Sequence, residues 1–260
     1  MGVNFNMVHK TQEFFEEIGD LAYFAARFFK QAVKPPFEFK ELLRQCYQVG
    51  NRSLLLVVTT GFIIGLVLTL QTRPTLIEFG AVSWMPNMVG ISIVREIGPV
   101  ITALICSGRI ASGFGAELGS MKVTEQIDAM EVSGTNPFKY LVVTRILAAT
   151  LMLPLLVIFG DLIALYGSSL VEYFKGNVSF RLYFNKVFEA LSYGDLIPAT
   201  IKSFFFGFVI GLTGCYKGYK TGRGTAGVGI AANTAVVMAS LLLFVVDFIA
   251  VFVSDIFYEL

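Results

Sequence analysis

The chain has 260 residues, 55% of them hydrophobic and 15% charged, with a net charge of +1 and a mean hydropathy of +0.70. Soluble domains carry about 25% charged residues, so this composition excludes a soluble enzyme or a disordered chain as the default and makes a polytopic membrane protein the expected class. The balanced charge gives no sign of a nucleic-acid partner, and one histidine, His9, with three scattered cysteines, Cys46, Cys106 and Cys215, argues against a metal site or a disulfide framework.

Residues 1–50 read as an N-terminal amphipathic segment. They hold acidic residues throughout and lack a compact apolar stretch with a cleavage site, so they are not a secretory signal. Phe14, Ile18, Leu21, Ala25 and Phe28 recur on one helical face, Glu13, Glu16, Glu17, Asp20, Arg27 and Lys30 fill the others, and Pro35 and Pro36 end the helix. Such a helix either lies in the membrane interface, where its Phe-rich face is favoured, or docks on protein.

Residues 51–260 read as the transmembrane domain. Ser53 to Thr72 is an uncharged run of about the 20 residues that cross a bilayer core. A second span runs from Pro86 to about Gly115, interrupted by Arg95, Glu96 and Pro99. The third, Ile146 to Val171, carries only Asp161; the fourth, Leu196 to Tyr216, only Lys202; the fifth, Val228 to Ser254, only Asp247. The expectation is an all-α integral membrane protein, an interfacial helix followed by five transmembrane helices with termini on opposite sides. Fourteen Lys and Arg, Arg223 among them, fall on the side of the N-terminus and four (Arg73, Lys175, Arg181, Lys186) on the other, with Arg95 and Lys202 inside the membrane. The positive-inside bias therefore places the N-terminus in the cytoplasm and the C-terminus outside it.

Arg95 and Glu96 are the most informative charges, because an ionised side chain near the bilayer centre costs roughly 2.5–3.5 kcal/mol on insertion scales. Lys202 is the expected partner of Glu96, and Pro99 is expected to kink the helix and open space beside them. Two readings fit: a polar patch lining an otherwise apolar cavity, or a buried structural ion pair with snorkelling to the interface. Between the second and third spans, Val123, Ile127 and Met130 fall on one helical face and Glu125, Asp128 and Glu131 on others, within a helix of about residues 120–132 that Gly134 can end; Asn136 and Pro137 can start the next. This helix suits docking to a soluble partner, with apolar anchors and acids at the rim, or is a solvated loop helix.

Other motifs carry less. The G-x-G-x-x-G at Gly222–Gly227 joins two spans and lacks the βαβ setting of a dinucleotide site. No Gly-Lys dipeptide occurs, so the ATP-cradling G-x-x-x-x-G-K-[ST] loop is absent and no catalytic residue is expected here. Gly61 with Gly65, Gly115 with Gly119, Gly207 with Gly211, and Gly214 with Gly218 are spaced for close helix packing.

The run VREIGPVITALICSGRIASGFGAELGSMKVTEQIDAMEVSGTNPFKYLVVTRILA, Val94 to Ala148, with GYKTGRGTAGVGIAANTAVV, Gly218 to Val237, closely resembles the MlaE family, permease subunits of ABC transporters that move phospholipids across the Gram-negative envelope. The resemblance covers nearly the whole chain. It implies a homodimeric permease in the inner membrane, a cytoplasmic ABC ATPase that binds the ATP and Mg, often a small STAS-domain subunit, and a periplasmic MCE-domain hexamer. It implies no cofactor in this chain. Residues Val123 to Glu131 then correspond to the ATPase-coupling helix, and Arg95, Glu96 and Lys202 to positions around the phospholipid pocket, in a transporter that maintains outer-membrane lipid asymmetry. Many relatives carry a basic residue shortly after the G-V-G at 227–229, where this chain has Ile230 and an uncharged stretch. Two other classes remain open on the residues themselves: a proton-coupled secondary transporter using Glu96, Asp161 and Asp247 as a relay, and a membrane scaffold without a lipid path.

Overall fold

The computed structural model describes residues 2–222 and 224–258; Arg223 and the side chains of His9, Glu13 and Phe14 lie outside the described residues. Among the described residues every regular element is a helix: α1 (Gly2–Ala32), α2 (Phe39–Glu78), α3 (Met85–Ser92), α4 (Gly98–Val123), α5 (Gln126–Val132), α6 (Thr144–Gly176), α7 (Phe180–Ala190), α8 (Tyr193–Tyr219) and α9 (Thr225–Tyr258). Five helical stretches are long and apolar enough to cross a membrane, at Phe39–Glu78, Val82–Val123, Phe138–Gly176, Tyr193–Tyr219 and Thr225–Ile256. The chain is a multi-pass membrane protein, and its two ends are named below after α5 and α7. The helix that carries the first span begins well before residue 51: α2 has 40 residues, about 60 Å at 1.5 Å per residue, so it projects beyond a hydrocarbon core of about 30 Å.

The expected kink in the second span takes a specific form. Pro99 has no N–H to give to the carbonyl four residues back and its ring crowds that carbonyl, which belongs to Arg95. The chain answers with a π turn over Ile93–Ile97, where the Gly98 N–H bonds to the Ile93 carbonyl five residues back. A second π turn, Phe138–Val143, follows Pro137 at the entry to α6.

Small residues let the helices approach. Gly61 and Gly65 on α2 face Gly160 and Ala164 on α6, and a Cβ at Gly167 would lie 2.5 Å from the Phe62 carbonyl oxygen. On α8, Gly207 and Gly211 face Ala149 and Ile146 of α6, while Gly214 and Gly218 face Ala111 and Gly115 of α4. The small-residue pairs thus act as packing seams within one chain.

At the α7 end, Ser179 caps α7 by accepting from the Leu182 N–H (3.3 Å). Tyr183 and Val187, one turn apart, are both fully buried. The Tyr183 hydroxyl donates to Ser168 Oγ (2.6 Å), which also receives the Thr69 hydroxyl (2.6 Å), and burial pushes the Tyr183 hydroxyl up to about 12. At the α5 end, α1 docks on the bundle. Phe24 and Phe28 are buried, Phe24 meets Phe138 and Tyr216 edge-on (5.1 and 5.6 Å between centroids), and Arg27 lies 4.1 Å over the Phe138 ring. Glu17 pairs with Lys217 and Asp20 with Lys220, and the Asp20 contact holds the Lys220 ammonium above its usual range. The expected single apolar face of α1 is therefore split. Leu21, Ala25 and Phe28 turn onto protein, while Ile18, with Phe15, Phe29 and Val33, points outward.

Gly167→Leu drives side-chain atoms into the α2 backbone and should lower the thermal midpoint in detergent, at a cost of about 1–3 kcal/mol or more. Gly108→Leu, at a glycine whose Cβ would meet nothing within 4 Å, should leave the midpoint unchanged.

Candidate functional site

Lone charges from three spans converge at the α7 end. The π turn carries Arg95 and Glu96; α8, entering beside it, brings Lys202, and α9 brings Asp247. Lys202 Nζ donates to Glu96 Oε2 (2.7 Å) and to Asp247 Oδ1 (3.1 Å). The Lys202 side chain is only 5% exposed, against 42% for Glu96, so the ammonium is the buried hub and Glu96 the partly open spoke. A buried ammonium is tolerated only with such partners.

Arg95 turns the other way. Its Nη1 lies 3.9 Å from Asp195 Oδ1, and its side chain is 46% exposed. Asp195 has a second duty, since its Oδ2 accepts from the Ser192 N–H (3.0 Å) and closes a capping box at the start of α8. Arg95, Glu96, Asp195 and Lys202 share one small polar pocket. Beside it opens a groove of about 710 Å³ between α8 and α9, walled by Ile197, Ile201, Phe205, Val246, Ile249 and Val253, with Lys202 in its lining. An apolar groove abutting a few convergent charges is the usual make-up of a site for an amphipathic ligand.

The third intramembrane acid lies behind the π turn, within electrostatic reach of Lys202 but not hydrogen-bonded to it. Asp161, on α6, is buried, and a Cβ on Gly98 would collide with its Oδ1. That oxygen has no hydrogen-bond partner.

The segment between the second and third spans departs from the expected helix. Val123 is the last residue of α4, and Glu125, at φ 58°, breaks the helix in the left-handed region before α5 starts at Gln126. Ile127 is buried in the chain's own core and so is not an anchor presented to another chain, while Met130 packs against that core and stays partly exposed. The outward side of α5 presents Gln126, Asp128, Ala129, Glu131 and Val132, with Glu125 exposed just ahead of it and Asp128 held by Lys122 (2.9 Å). Gly134, at φ 80°, ends the element, and Asn136 Oδ1 accepts from the Lys139 N–H (3.2 Å) ahead of the next turn.

Two members of the charge cluster were not placed in it by sequence reasoning. Asp247 was visible as a lone membrane charge without an assigned partner. Asp195 had a local signal, the S-x-x-D pattern of a capping box at Ser192–Asp195, but nothing in the sequence points that carboxylate at Arg95.

Comparison with known proteins places these features. The family model described as Permease MlaE matches residues 42–253. The "Probable ABC transporter permease protein" of Rickettsia typhi is 38% identical over 245 residues, covering 94% of this chain and 95% of that protein. A protein of the same description in Synechocystis is 31% identical, over 92% of this chain and 91% of its own length. The Arabidopsis thaliana chloroplast protein named Trigalactosyldiacylglycerol 1 is 31% identical over 84% of this chain and 62% of its own length.

Removing the hub should be costly. Lys202→Met leaves Glu96 and Asp247 without their cation and should destabilise the bundle by roughly 3 kcal/mol, the low end for breaking a buried pair because Glu96 is partly solvated. Adding Glu96→Gln and Asp247→Asn should recover most of the lost thermal midpoint.

Proposed function

The chain belongs to the MlaE permease family, a membrane-embedded subunit of ABC transporters, and on that footing we propose that it moves phospholipids between the inner and outer membranes, driven by ATP hydrolysis in a partner subunit. The observation that carries this reading is the apolar groove between α8 and α9 running into the Arg95–Glu96–Lys202 cluster. Acyl chains suit the groove, and a phosphate suits the charged pocket. The arrangement divides the labour: Arg95, half exposed at the rim, meets the phosphate by exchange with Asp195, while Lys202, held by two carboxylates, keeps Glu96 and Asp247 in place. That one relative carries the name of a galactolipid supports a lipid substrate.

The α5 end is then cytoplasmic, in keeping with the excess of Lys and Arg on that side. There the ATPase engages the acidic outer side of α5 and the residues around it, which makes 120–132 the coupling segment, and a STAS-domain subunit joins from the same side. The α7 end faces the periplasm and the MCE-domain hexamer. A second copy of the chain packs along α9, which buries only 11% of its most apolar stretch inside the chain, against 50% for three other spans. Paired copies would enclose the α8–α9 groove, and ATP-driven movement of the coupling segments would open and squeeze it.

The test is transfer of labelled phospholipid by the reconstituted complex in vesicles. Glu96→Ala and Lys202→Ala should abolish ATP-dependent transfer. Arg95→Gln, which leaves the buried hub intact, should reduce it at least tenfold while the complex still assembles by size exclusion. Normal transfer by all three variants would overturn the assignment. Transfer that persists without ATP and follows a proton gradient would favour the secondary transporter instead.

A further inference from the structure

We propose a second lipid site at the opposite end of the molecule, which holds the phosphate of an anionic lipid headgroup in a cavity of about 450 Å³ between α2 and α4. Gln48, Arg52 and Ser53 line it from α2, and Arg109, Gly113 and Glu117 from α4. The two guanidinium groups are its defining chemistry. Both arginines are exposed, and among the described residues neither makes an ion pair or side-chain hydrogen bond. The one acid in the lining, Glu117, is engaged elsewhere, by Arg145 at 2.7 Å, whose own side chain is 2% exposed. The cavity is therefore left with an excess of positive charge.

Three further features point to a lipid phosphate. The Ser53 hydroxyl is buried without a hydrogen-bond partner, a donor on the wall with nothing to receive it. Depth agrees as well. Arg52 is the last charge before the uncharged run of the first span, and Arg109 is the first charge after the uncharged stretch from residue 97 to 108 of the second. Both therefore stand at the same membrane boundary, where lipid phosphates lie. Val49, Ile110, Phe114 and Ala116 complete the lining and offer an apolar bed for the upper part of an acyl chain. Planar guanidinium forks bind phosphate oxygens two at a time, so a pair of them favours a headgroup with net negative charge over a zwitterionic one.

The experiment uses the full chain in nanodiscs of equal parts phosphatidylglycerol and phosphatidylcholine, with the lipids retained after release counted by native mass spectrometry. The chain should retain phosphatidylglycerol preferentially. Arg52→Gln with Arg109→Gln should lower that preference by about tenfold, the loss of roughly one charge-assisted contact, and the Arg52→Lys, Arg109→Lys pair should restore part of it in a protein of the same monodispersity. Equal retention by the chain and the glutamine variant would overturn the site. Loss of the preference on adding inorganic phosphate would overturn the lipid assignment in favour of a soluble anion.

Discussion

The Lys202 ammonium fastens the second, fourth and fifth spans together. In the bilayer a lone ammonium or carboxylate is costly, but three groups drawn from three helices satisfy one another, and the cost becomes a constraint on geometry. Glu96 reaches Lys202 only because the helix widens ahead of Pro99, and Asp247 only because α9 packs beside α8. The groove between α8 and α9 inherits its polar end from this arrangement. Charge cluster, π turn and groove form one construction, in which the proline that disrupts regular hydrogen bonding also creates the room the charges occupy.

Much of this was legible in the sequence for physical reasons. Ser53 to Thr72 contains no charge, and hydrocarbon leaves such a run one conformation. Glu96 and Lys202 announced each other, since unpaired charges in that setting require a partner. What could not be read is equally specific. The apolar stripe of α1 has the same period whether it meets lipid or protein, and the molecule divides it, Phe28 inward and Ile18 outward. Ile127 carries the periodicity of an interface anchor, yet packing within the chain claims it. The segment between the third and fourth spans concealed α7, because its pattern rests on two residues, Tyr183 and Val187, whose importance comes from the partners that fold over them.

Charge is distributed differently at the two ends. At the α7 end acids outnumber the bases they hold, and the half-exposed Arg95 is the cation at the rim of the groove. At the α5 end Arg145, Lys122, Lys217 and Lys220 are matched with Glu117, Asp128, Glu17 and Asp20, and Arg52 and Arg109 are among the cations left without an acid. On the proposed function, a chain that both handles a polar headgroup and remains fixed in a bilayer needs opposite behaviours from its cations. Some must exchange partners, and others must stay tied.

The docking of α1 has a consequence for how the molecule is made. This helix is synthesised before the five spans described, but the surface it occupies is built from Phe138, Phe208, Tyr216 and Tyr219, which belong to the third and fourth spans. Until α8 has been threaded into the bilayer, α1 has nowhere to settle, and its aromatic face must wait at the membrane surface. A segment made ahead of the five spans is thus among the last to reach its final place, and its arrival marks a bundle whose fourth span is already home.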